Sequence, residues 1–120
     1  MELTISNRVV KITAGTRFLR ELDREYKAEM QGAEVDFGLY QLYANFAMES
    51  VSALNLAIYA GSRTNKNFKP TPDQIDEYLD EQEDIDWLFD AFKEELRESN
   101  RTKKLWKQME GNLPATEETE

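Results

Sequence analysis

The residues with the most chemistry in this chain are carboxylates, and they are crowded: Asp80, Glu81, Glu83, Asp84 and Asp86 follow one another closely. Oxygen ligands at that density raise the question of calcium, but an EF-hand loop needs a glycine at its sixth position and ligands at fixed odd positions. No glycine lies between Gly61 and Gly111, so the run reads as a solvated acidic face. Paired carboxylates also act as general acids and bases where a cleft shifts their pKa values. Here they fall at predicted helix starts and on polar faces, where water screens them. With neither histidine nor cysteine in the chain, imidazole catalysis, thiolate chemistry, disulfides and ordinary zinc sites are removed together. A phosphate-cradling glycine loop, a serine elbow and a helical zinc motif are missing as well. The reading is of a protein that is no enzyme and uses neither metal nor cofactor.

Charge adds a second constraint. The formal net charge is -9, yet Asp73 through Glu98 carries twelve acidic residues against Lys93 and Arg97 alone. A field of that sign repels phosphate backbones, so nucleic acid is not expected as a partner; a basic surface is. No apolar run approaches the roughly 20 residues that span a bilayer, and the N-terminus has no basic region followed by an apolar stretch. Neither membrane insertion nor secretion is expected. The small basic group Arg63, Lys66 and Lys69 reads as cations at a helix C-terminus, where the macrodipole favours them, in preference to a phosphate contact.

Aromatic residues are the more informative group, because they exceed what one apolar face per helix requires. Most belong in the core by their helical spacing. The surplus is expected to anchor a protein partner. Tyr40, Tyr43, Phe46, Trp87, Trp106 and Met109 are the candidate partner-binding residues, with Trp87 and Trp106 foremost since both lie off the main apolar stripe.

These side chains must be positioned by a mainly helical (α+β) fold: an N-terminal β-hairpin packed on a bundle of about five helices. Leu3 and Ile5, then Val10 and Ile12, alternate with polar residues around Ser6-Asn7-Arg8, which predicts a hairpin lying on the helices. Thr16 is the expected cap of an amphipathic helix running to about Met30 and ended by Gly32, with Glu21 on its solvated face and Asp23 paired with Lys27. A linker, Gln31 to Val35, leads to the most apolar stretch of the chain, Asp36 to Phe68. It reads as two helices split near Met48-Glu49-Ser50; Val51 to Ala60 is apolar nearly all round, as in a buried helix, with Gly61 at its C-cap. Thr71-Pro72-Asp73-Gln74 is a capping box with proline at the first helical position. Asp84 is the expected cap of the next helix, whose stripe is Ile85, Leu88, Phe89, Phe92 and Leu96. That helix either frays near Ser99-Asn100 or runs on, carrying Leu105, Trp106 and Met109 as a separate patch, until Gly111 and Pro114 end it. One domain, residues 1 to 111, is expected, with residues 112 to 120 as a disordered acidic tail.

The order of these motifs resembles a known family. Leu3-Thr4-Ile5 and Val10-Lys11-Ile12 precede Phe18-Leu19-Arg20-Glu21-Leu22-Asp23, then Phe37-Gly38-Leu39, Ala57-Ile58-Tyr59-Ala60, Thr71 through Leu79, and an acidic helix with Leu88-Phe89. This order is similar to that of tail assembly chaperones of long-tailed bacteriophages infecting Gram-positive bacteria. The resemblance implies a non-catalytic assembly factor in the host cytoplasm, absent from the finished virion. It would bind and solubilise the tape measure protein, help recruit tail tube subunits, and self-associate along its client. The competing reading is an acidic adaptor, or a mimic of nucleic acid that occupies a basic site on another protein.

Overall fold

The computed structural model describes residues 1–27 and 37–118, with side chains through Tyr26 and from Phe37 to Gly111. Two strands, β1 (Glu2–Ile5) and β2 (Arg8–Lys11), form an antiparallel hairpin with Leu3 opposite Val10 and Ile5 opposite Arg8. Ser6 and Asn7 both take positive φ, 54° and 63°, the two-residue turn whose twist matches that of the strands. Leu3, Ile5, Val10 and Ile12 are buried, so the hairpin is a lid on the helices.

Six helices follow among the described residues: α1 (Thr16–Lys27), α2 (Phe37–Ala47), α3 (Val51–Gly61), α4 (Pro72–Asp80), α5 (Asp86–Glu98) and α6 (Lys103–Glu118). Ser50 caps α3 by accepting from the Ala53 amide, and Thr71 and Gln74 form the reciprocal capping box of α4. The expected end of α1 at Met30 and Gly32, and the linker Gln31 to Val35, lie outside the described residues.

Several expectations need correcting. The first bond of α1 is accepted by the Gly15 carbonyl, so Thr16 already sits inside the helix. Gly61 is not a left-handed cap, for α3 runs through it to Ser62; its role is close approach, since a Cβ there would stand 2.6 Å from Ile12 Cγ2. At α5 the cap position falls to Ile85, although the Asp84 carboxylate still accepts from the Asp86 amide at 2.9 Å. The chain then breaks at Ser99, whose extended backbone ends α5. Its hydroxyl donates to the Ala14 carbonyl, and Thr102, fully buried, donates to the Leu96 carbonyl at 2.8 Å. That break turns α6 back onto the bundle, and the six helices of the described residues agree roughly with the expected bundle of about five. α6 continues beyond Gly111 and Pro114, which do not end it.

The core is contiguous. Phe18 and Leu22 of α1, Leu39, Leu42 and Phe46 of α2, Leu54 and Ile58 of α3, and Leu88, Phe89, Phe92 and Leu96 of α5 belong to one buried cluster. Phe46 lies at its centre, edge-on to Phe89, Phe92 and Trp106 at centroid distances of 5.2, 6.2 and 6.2 Å.

Candidate functional site

The six candidate partner-binding residues divide by burial. Trp106 is 1% exposed, and Phe46 and Met109 are buried with it. Tyr43 is half-buried, its ring edge-on to Trp106 at 5.1 Å. Phe46, Trp106 and Met109 therefore belong to the core, with Tyr43 packed against it, because α6 folds back and lays its apolar face against α2. Being off the stripe of α5 did not make Trp106 free; it belongs to another helix. Tyr40 and Trp87, at 51% and 46% exposure, do face solvent.

Ionisable groups are dispersed. Among the described residues no three His, Cys, Asp or Glu side chains converge as a metal site would require. Glu21, expected on a solvated face, is instead buried between Arg17 and Arg24 at 2.7 and 3.0 Å. Burial opposes its charge, but the Arg17 hydrogen bond and the two guanidinium charges outweigh that and hold its pKa below the usual value. The Asp23 carboxylate accepts from the Gly38 amide at 2.8 Å. Arg63, taken from the basic group, donates to the Tyr59 and Pro70 carbonyls and to Ser62 Oγ while stacking over the Tyr59 ring at 3.9 Å. It binds the end of α3 to the following loop.

The feature that sequence reasoning missed is a groove of about 590 Å³ between α1, α3 and the start of α4, with Asn45 of α2 also in its lining. Its apolar lining includes Tyr26, Val51, Leu56, Tyr59 and Pro72. α3 is thus not buried all round: Val51 is 49% exposed and Leu56 and Tyr59 are half-buried. A signal was present, since Ser52, Asn55, Leu56 and Tyr59 fall at i, i+3, i+4 and i+7, and two polar residues on that row mark the side of the helix left open.

The described residues thus form a small, mainly helical domain with an acidic side and a few apolar residues facing solvent. The family to which it belongs follows from comparison of the chain with known proteins. The model of the phage tail assembly chaperone protein family, TAC, matches residues 2–110, and the chain is a member of that family. No curated protein and no solved structure matches it. No helix among the described residues is long and apolar enough to cross a membrane.

Proposed function

We propose that the protein binds and solubilises the tape measure protein and helps to bring tail tube subunits to it during tail assembly, itself catalysing nothing. The family match over residues 2–110 carries this reading. The surface is compatible with it: Tyr40, Met48, Val51 and Trp87 are exposed, and such anchors, set in a charged exterior, suit a chaperone that must cover apolar surface while staying soluble. The work is done in the host cytoplasm, the protein leaves before the virion is complete, and copies associate with one another along the client.

The test is co-expression with the tape measure protein of the same phage. The client should remain in the supernatant with the chaperone and precipitate without it, and the complex should sediment as many chaperone copies per client. A strict monomer at high concentration that fails to alter client solubility would overturn the proposal. Co-purification of a DNA-binding enzyme in place of a long helical protein would transfer support to the acidic-mimic reading.

A further inference from the structure

The groove between α1, α3 and α4 has an apolar floor and an anionic wall. Val51, Leu56 and Tyr59 of α3 line it with Tyr26 of α1, and among the described residues the ionisable lining consists of Glu25 and Asp76 with no cationic side chain. Asp76 is fixed there, because Asn55 of α3 donates to its carboxylate at 2.6 Å and to the Pro72 carbonyl at 3.1 Å. From that wall the charge extends along α4: Asp73, Asp76, Glu77 and Asp80 are all exposed, and their i, i+3, i+4, i+7 spacing sets them on one face. An amphipathic helix docks in such a groove through an apolar ridge of the same periodicity. The wall decides what flanks the ridge, since like charges placed together across an interface are strongly disfavoured.

We infer that this groove is where the chaperone takes hold of its client, and that the segment it selects is an amphipathic helix with lysine or arginine along the flank facing α4. The inference rests on the chaperone reading and adds the chemistry of the recognised segment. Short acidic-flanked helices are excluded by the same wall, so the client is gripped at chosen sites along its length.

The test uses the full chain and labelled synthetic helical peptides of about four turns, followed by fluorescence anisotropy. One peptide has a leucine ridge and a lysine flank, a second has the same ridge with a glutamate flank, and a third has the lysine flank with serines replacing the ridge. The first should bind at least about tenfold more tightly than the second, and its affinity should fall with added salt. The third should not bind. A Glu25→Lys/Asp76→Lys variant should reverse the order of the first two. Glu25→Lys/Glu77→Lys, which leaves the Asp76–Asn55 contact in place, should narrow the gap, with circular dichroism verifying the fold of each.

Equal affinity for the two flanks, or an unaltered order in both variants, overturns the inference. So does a chain that dimerises through the groove, seen as a wild-type dimer that Val51→Glu converts to monomer while no peptide binds. If the peptide order fails but the long client still stays soluble, the chaperone reading stands and only its site falls. If the order holds but the client precipitates, the groove stands and the chaperone reading falls.

Discussion

Arg97 of α5 and Glu110 of α6 lock the last helix to the bundle: Arg97 Nε donates to both Glu110 oxygens at 3.0 Å, and Nη2 lies 2.9 Å from Oε2. The same carboxylate accepts from the Trp106 indole at 3.1 Å. One side chain thus satisfies a buried ring nitrogen and a guanidinium at once. The ion pair is partly exposed and worth roughly 0–1 kcal/mol, whereas a buried indole N–H left without an acceptor costs about 1–3 kcal/mol. Glu110→Ala should therefore destabilise more than Arg97→Ala, and Glu110→Gln, which keeps an acceptor, should recover most of the difference. Urea unfolding of the three variants decides the point.

The two tryptophans should behave oppositely. Trp106→Ala removes a fully buried ring that touches Tyr43 and Phe46, for an expected loss of about 3–5 kcal/mol, a large share of a domain's roughly 5–15 kcal/mol. Trp87→Ala, on the solvent side of α5, should change stability by about 0.5 kcal/mol or less. Denaturant midpoints at constant m-value provide the measurement.

Gly38 is where α2 touches the backbone of α1. A Cβ there would come within 2.7 Å of the Leu22 carbonyl carbon and 2.8 Å of the Asp23 nitrogen. Neither atom can swing aside, so Gly38→Ala should cost about 1–3 kcal/mol through helix displacement. Asp23→Ala, which removes only the acceptor of the Gly38 amide, should cost about 1 kcal/mol. Thermal unfolding that ranks Asp23→Ala as the more damaging change would contradict this assignment.

Glu21 predicts a dependence on acid. Its folded pKa lies below the ordinary 4.5, so its stabilising contribution is complete above the unfolded value and is lost as pH falls through the depressed folded one. The urea midpoint should stay level down to about pH 5 and decline below about pH 4.5. Glu21→Gln should be less stable at neutral pH and show a shallower decline. On α5, Glu94 is shifted down, chiefly by its hydrogen bond with Glu98, while Glu98 is shifted up by hydrogen bonding and charge from Glu94. Both of those carboxylates are exposed, and Glu21→Gln is the variant that isolates the buried contribution.

Local signals carried much of the fold. The hairpin turn, read at Ser6-Asn7-Arg8 and found at Ser6-Asn7 with Arg8 already in β2, the Thr71 capping box and the stripe of α5 are each written in a few adjacent residues. Long-range features were not legible. Nothing near Trp106 indicates that Ser99 bonds to Ala14 and turns α6 inward, so a core tryptophan reads as a surface anchor. Glu21 similarly looks like one more charge on a polar face until Arg17 and Arg24 close over it. The groove needs three elements at once, and a periodicity confined to α3 registers only that one row of that helix is more polar than the rest.

Asn65 closes the exposed rim of the hairpin: it accepts from the Lys11 amide at 3.1 Å and donates to the Lys11 carbonyl at 2.8 Å, standing in for a third strand. A bare strand margin is a template on which neighbouring copies can zip together into cross-β aggregates. Here one rung of that ladder is already taken by a side chain of the same molecule. Edge-to-edge pairing of two copies through Lys11 would first have to displace that side chain, which disfavours fibre growth from this margin.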